Sequence, residues 1–336
     1  MHPTHCFRLP TILASMILAT TCLVVPSAGA AASLPTRWVG DGHASSCTSA
    51  KVVAAVKRGG IVRFRCGRKP VVIRMRATAK VYNARPDVVI DGDGKVTLDG
   101  GGDRRIIYMN TCDKALGWTT SHCNDQAHPT LTIRDITLRN GRARGSGTED
   151  GGGAVFVRGG RLSVSNARFY GNRCATVGPD VAGGAIQVFD QYHDRPVTVS
   201  RTTFGGDGWK ANRCSNGGAI GSIGVSWTIT DSVFGYNRAT GTGANPPKHG
   251  LPGGGNGGAI YNDGNTMTLR LTRTRLTRNH SNGEGGSAIF FVSNDRSGDV
   301  AIRDSTFRSN TGSTFDNRPD TFFLGDGWTF SGNSVR

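Results

Sequence analysis

The chain has 336 residues, of which 40 are Lys or Arg and 24 are Asp or Glu, for a formal net charge of +16. Glycine supplies 49 residues, about twice the usual share of ~7%, and the spacing described below assigns the excess to turns rather than linkers. Outside the N-terminal segment no apolar run approaches the ~20 residues of a spanning helix, so a membrane-embedded helical protein is excluded.

Residues 1–30 carry Arg8, an apolar run over 12–25, and then Ala28-Gly29-Ala30. A basic residue, a short apolar core and a small-residue end make a secretory signal peptide, with cleavage expected before Ala31. A lipid anchor at Cys22 is the competing reading, but Thr20-Thr21 before it fit such an anchor poorly. Export predicts a secreted, extracellular or cell-surface protein and excludes an intracellular nucleic-acid role. Cys6 and Cys22 leave with the signal, so Cys47, Cys66, Cys112, Cys123, Cys174 and Cys214 remain. An even number of cysteines in an exported chain predicts disulfides. A zinc site competes with that reading, although the chain has neither a Cys-x-x-Cys pair nor clustered His.

Residues 45–59 read as a short helix, best defined near 48–58. Val52, Val53, Ala55 and Val56 form its apolar face, Lys51 and Lys57 flank it, and Gly59-Gly60 ends it. Its expected role is to cover the open end of a sheet whose unpaired edges would otherwise recruit other chains. Strand patterning begins with Ile61-Val-Arg-Phe-Arg and continues through Val88-Val-Ile-Asp-Gly-Asp-Gly-Lys-Val-Thr-Leu98. The Asp-Gly steps here invite a calcium reading. They lack the regular nonapeptide run of calcium-bound repeats, and turn chemistry accounts for them.

From about residue 131 one unit recurs. A Gly-Ala-aliphatic step opens it at Ala154-Val155, Ala185-Ile186, Ala219-Ile220, Ala259-Ile260 and Ala288-Ile289, at spacings of 31, 34, 40 and 29 residues. A second half follows, as in Leu131-Thr-Ile-Arg-Asp-Ile-Thr-Leu138 and Val300-Ala-Ile-Arg-Asp-Ser-Thr-Phe307, and several copies then place an Asn at 172, 237, 279, 310 and 333. Apolar and polar residues alternate and flip parity once, at Asp135, Asn166, Asp231 or Asp304. That pattern marks a bend between two short strands that both face inward. Three strands and three turns per unit make one coil of a parallel β-helix, with longer spacings absorbed by turns. The expected class is therefore all-β: a right-handed parallel β-helix of about eight coils with a short N-terminal capping helix. Residues 31–336 then form a single domain, 60–336 being the coils. Ile133, Val164, Val199, Ile229, Leu271 and Ile302 should form one inward stack. Phe169, Phe204, Phe234 and Phe307 should form a second, together with Leu138 and Leu276. Six cysteines allow 15 pairings, of which fold order favours Cys47–Cys66, Cys112–Cys123 and Cys174–Cys214.

The pairing of Gly183-Gly-Ala-Ile186 with Phe307-Arg-Ser-Asn310 resembles the repeats of polymorphic outer-membrane proteins. The coil order is similar to that of the pectate-lyase-like right-handed β-helices, over roughly residues 45–336. The resemblance implies the fold and leaves the activity open, because this fold hosts lyases, hydrolases and adhesins. In pectate lyases the first strand of a coil points carboxylates outward to bind calcium. The matching positions here are Phe156, Gln187, Gly221, Tyr261 and Phe290, with Tyr108 as a further candidate, and none is a carboxylate. A calcium-dependent lyase site is therefore not expected, nor is any metal or cofactor.

What remains on that strand is a partly aromatic stripe. Phe156, Gln187, Tyr261 and Phe290 become candidate sugar-binding residues unless turn loops cover them. Asp150, Asp180 and Asp190, with His193 and Arg158, become candidate acid, base or charge-clamp groups. Paired carboxylates suit a glycosidase, and a His or Arg beside them suits proton abstraction from a uronate. The competing reading is that Asp precedes Gly in turns for conformational reasons. Basic outward positions, among them Arg134, Arg139, Arg142, Arg144, Arg158, Arg161, Arg168 and Arg173, favour polyanions, although basicity is also common in exported proteins without such a partner. The expectation is a monomer that binds an extracellular polysaccharide, an acidic one being favoured, along its first sheet, with no specific nucleic-acid partner. As an enzyme it would be a polysaccharide lyase or glycoside hydrolase. The alternatives are a non-catalytic adhesin and a structural cell-envelope component.

Overall fold

Parallel pairing dominates the architecture, because each repeat lays its strands on those of the repeat before it. The computed structural model describes residues 33–85, 87–145 and 147–336, and the expected signal peptide over 1–30 lies outside them. Residues Leu34–Arg336 form one unit, built of strands in long parallel sheets with, among the described residues, a single α-helix, Ser49–Arg58. Thr48 caps that helix through its side chain, which accepts from the Lys51 amide, and Gly59 ends it at φ 69°. Val52, Ala55 and Val56 are its buried face, packed on Thr36–Val39, Gly60–Phe64 and Ala79–Val81. No helix among the described residues is long and apolar enough to cross a membrane.

One face is an eight-stranded parallel sheet running from Ala79–Val81 to Thr321–Leu324. Its inward positions are in register: Ala79, Ile107, Val155, Ile186, Ile220, Ile260, Ile289 and Thr321. A second, larger parallel sheet carries two further inward ladders, and Arg213–Cys214 pairs with Arg238–Ala239 in a small third sheet. Ile133, Val164, Val199, Ile229, Leu271 and Ile302 stack in one. Leu138, Phe169, Phe204, Phe234, Leu276 and Phe307 stack in the other. All are buried, and the Phe169, Phe204 and Phe234 rings stack at 4.9 and 4.7 Å. Between these two ladders Asp135, Asn166, Asp231 and Asp304 adopt left-handed φ of 47–53°. Asp and Asn tolerate that conformation best among residues with a Cβ. Their side chains also reach neighbouring rungs, as Asn166 does to Asp135 and Arg273 does to Asp231 at 2.7 and 3.0 Å.

The turn after the third ladder buries a column of asparagines. Asn172 donates to Asn212 at 3.1 Å, Asn212 to Asn237 at 3.0 Å, Asn237 to Asn279 at 2.9 Å and Asn279 to Asn310 at 2.9 Å. Each amide saturates backbone groups that a turn would leave buried and unpaired. Two details differ from the sequence expectation. Asn212 belongs to the column although an insertion displaces it from the Phe-x-x-Asn spacing. Asn333 does not, because Phe330 pairs with Ile302 rather than Phe307, and Asn333 instead accepts from the Ser305 amide at 2.8 Å. The three expected disulfides, Cys47–Cys66, Cys112–Cys123 and Cys174–Cys214, are present. The acids of the Asp-Gly turns are engaged by bases: Asp91 by Arg134 at 2.9 Å, Asp93 by Lys95 at 3.0 Å and Asp99 by Arg139 at 2.8 Å.

Candidate functional site

On the outer side of the eight-stranded sheet a further ladder runs through Tyr108, Phe156, Gln187, Gly221, Tyr261, Phe290 and Phe322. These side chains point away from the core, as period-two alternation requires. Yet Phe156, Gln187 and Tyr261 are 0% exposed and Phe290 is 7% exposed, because loops from neighbouring rungs fold over them.

The N-terminal end of the ladder is sealed. Phe156 stacks on Tyr108 at 5.5 Å, and the Arg105 guanidinium lies 4.9 Å from the Phe156 ring centre. Arg105 donates to the carbonyls of Gly151 at 2.7 Å, Glu149 at 3.0 Å and Gly152 at 3.1 Å. Burial holds that guanidinium below its ordinary range, opposed by Tyr108, Asp150 and Glu149. Gln187 donates to the Thr148 carbonyl at 2.7 Å. A side chain at Gly221 would collide with Ala182 and Gly183, so the loop before Ala185 closes down only over glycine. Phe156 and Gln187 therefore offer no face to a sugar, which corrects their expected role as a platform.

The expected acid and base residues divide among separate tasks. Asp150 accepts from the Gly147 amide at 2.9 Å as a turn cap. Arg158 pairs with Glu149 and donates to Asn124 at 2.8 Å. Asp190 is half-buried, and desolvation pushes its carboxyl up against the opposing charge of Arg158. His193 donates its amide to Asp125 at 2.7 Å and stacks on Tyr192 at 3.9 Å. Asp180 joins none of these groups.

Asp180 instead joins the C-terminal end of the ladder. The 40-residue spacing lets residues 240–256 fold across the sheet as a longer loop. Asn245 in it donates to Asp180 at 2.6 Å and to the Tyr261 hydroxyl at 2.9 Å. Tyr261 donates to Asp263 at 3.0 Å, and Asn294 donates to the other Asp263 oxygen at 3.1 Å. Burial pushes the Tyr261 hydroxyl well up. Desolvation also raises the Asp263 carboxyl, against the bonds from Tyr261 and Asn294 and with some help from Asp180. Tyr261 is thus an interior anchor rather than a stacking surface, a second correction.

Beside this cluster the cover stops, and a groove of about 510 Å³ opens between Asn245, Lys248, Asp263, Glu284, Phe290 and Phe322. Tyr261, Phe290 and Phe322 stack at 5.1 and 5.3 Å beneath it, and Phe315, 59% exposed, stands on its lining. Glu284 accepts from the Gly243 amide at 3.0 Å, which ties the loop to the groove wall. Sequence reasoning missed Asp263, Asn245 and Asn294. Asp263 lies two residues beyond Tyr261 and so shares its outward side, a signal available from alternation alone. Among the described residues no three His, Cys, Asp or Glu side chains gather as a metal ligand set. Comparison with protein-family models, with curated proteins and with solved structures finds no match to this chain.

Proposed function

We propose that the chain is an exported right-handed parallel β-helix of about eight coils, of the pectate-lyase-like kind, capped at its N-terminal end by the helix Ser49–Arg58. Its function is to bind an extracellular polysaccharide in the groove over Phe290 and Phe322. The observation that carries this reading is the half-covered aromatic stack, whose outer rings line an open groove furnished with amide and carboxyl groups. A sugar offers an apolar ring face to such rings and hydroxyls to such polar groups, and few other ligands need both along a cleft. The lining carboxylates Asp263 and Glu284, with Asp180 nearby, outnumber the one lining cation, Lys248, and repel a chain of uronates, so the groove favours a neutral polysaccharide over the acidic one expected along this sheet. Export rests on the signal-like residues 1–30 and is supported by the three disulfides.

The test is to purify the secreted protein and titrate it with neutral glucans, mannans and xylans and with polyuronates. New reducing ends and the absorbance of new double bonds are followed in parallel. Saturable binding to a neutral polymer, weakened in Phe322→Ala, supports the reading. Binding to none of the panel, or binding that Phe322→Ala leaves intact, overturns it in favour of the adhesive or structural alternative.

A further inference from the structure

A second feature lies on another part of the surface, at the turn that buries the asparagine column. Arg142, Arg173, Arg213 and Arg238 pair in one parallel register, followed by His280. The pattern is written in the sequence as Asn172-Arg173-Cys174, Asn212-Arg213-Cys214 and Asn237-Arg238-Ala239. The Asn and the Cys or Ala on either side are buried, so alternation sends each arginine outward. Successive rungs are ~4.8 Å apart. Arg142, Arg173 and Arg238 are exposed.

Several outward arginines of this protein are paired with a carboxylate from a neighbouring rung or turn. Arg134 meets Asp91, Arg139 meets Asp99, Arg144 meets Asp103 and Arg273 meets Asp231. The four ladder arginines have no acidic partner among the described residues, and the buried Nε of Arg213 has no hydrogen-bond partner within the protein. Burial and the flanking charges of Arg238 and Arg173 hold the Arg213 guanidinium below its ordinary range. Like charges stacked one per rung oppose the fold, and the Cys174–Cys214 disulfide ties together the very rungs that carry Arg173 and Arg213. Beside the ladder a cleft of about 230 Å³ lies between Arg74, Asn140, Arg142 and Arg173. Trp209, 53% exposed, rests against Gly171 two residues before Arg173.

We propose that this arginine ladder is a binding site for a linear acidic polysaccharide lying along the stacking axis. One carboxylate or sulfate meets each rung, and Trp209 faces a sugar ring near Arg173. Guanidinium forks match planar oxyanions, and a fixed row of unneutralised charges favours a polymer over a single ion. The rung spacing is close to the advance per sugar of a linear hexuronan. The phosphates of an extended nucleic-acid strand are spaced more widely and fall out of register. This site is independent of the groove over Phe290 and Phe322, so either can fail alone.

The experiment titrates the secreted protein at physiological salt with alginate and polygalacturonate, with heparin and dextran sulfate, and with single-stranded DNA and neutral dextran as comparators. The expected result is binding to the carboxylated or the sulfated polymers, and which of the two arms responds identifies the anion. Neutral dextran should not compete, and DNA should bind more weakly. The double variant Arg173→Gln/Arg238→Gln should lose at least about tenfold in affinity, the effect of removing two charge-assisted contacts. Arg270→Gln/Arg303→Gln removes the same charge from exposed positions on another face and should bind as the wild type does. Near-ultraviolet circular dichroism establishes that each variant is folded. Should the double variant misfold, Trp209→Ala, at an exposed turn, replaces it with the same expected direction. Equal losses in both double variants, tighter binding of DNA, or no binding to any acidic polysaccharide would overturn the proposal.

Discussion

The two ends of the outer ladder on the eight-stranded sheet start from the same pattern and finish differently. At Tyr108 and Phe156 the aromatic pair is closed by Arg105, whose guanidinium covers the ring and satisfies three carbonyls of residues 149–152. At Phe290 and Phe322 an equally well-stacked pair has no such cation over it and lines a groove instead. The difference teaches that an outward aromatic stripe becomes core or binding surface according to the loop above it. A loop seals the stripe when its carbonyls find a donor that also covers the ring. It leaves a groove when its polar groups, here Asn245 and Gly243, are tied to one side.

Removing the sealed ring should have the largest effect. Phe156→Ala empties a site with 0% exposure and strips Arg105 of its support, and should cost about 3–5 kcal/mol, read from urea unfolding. A loss below about 1 kcal/mol would show that the sealed end is not core. Arg105→Met keeps the apolar cover and deletes the donors. Leaving the carbonyls of residues 149–152 unpaired should cost about 2–3 kcal/mol, with faster amide exchange confined to that loop. Phe322→Ala should alter stability by less than about 1 kcal/mol, since the ring is only partly buried, while weakening polysaccharide binding at least about tenfold.

The smallest effect concerns pH. The Asp263 carboxyl titrates higher in the folded protein than in the unfolded chain because burial outweighs its hydrogen bonds. Its protonated form therefore favours the fold. That contribution is complete below the ordinary Asp value and is lost as pH rises through the raised folded value. Asp263→Asn should accordingly gain stability relative to the wild type as pH rises from about 3.5 to 7. Parallel urea midpoints for the two proteins across that range would contradict the assignment of burial as the dominant influence.

Much of this architecture was legible because its causes are local. Alternation marks the strands, and a single parity flip at Asp135 or Asp231 marks the left-handed bend. The inward stacks through Ile229 and Phe204 follow from counting by twos. Asn212 escaped because the insertion before it breaks the Phe-x-x-Asn spacing, although Asn-Arg-Cys, shared with residues 172–174, carried the same information. Asn333 misled because Phe-x-x-Asn recurs there one strand out of step. The site was less legible, since cover over a ladder depends on loops that arrive from other rungs. Nothing in Phe156-Val-Arg158 announces that Arg105, some fifty residues earlier, will lie on the ring. Asp180 read as a companion of Asp150 because both precede a Gly-Ala step. The loop over 240–256 draws it to Asn245 instead.

The decisive measurement is where a neutral polysaccharide binds. Titration of the purified wild type, Phe322→Ala and Arg173→Gln/Arg238→Gln with the neutral polymer that binds best decides it. Affinity should fall at least about tenfold in Phe322→Ala and stay unchanged in the arginine variant. Unchanged affinity in Phe322→Ala, or a loss of neutral-polymer binding in the arginine variant alone, would contradict the assignment of the open groove as the binding site.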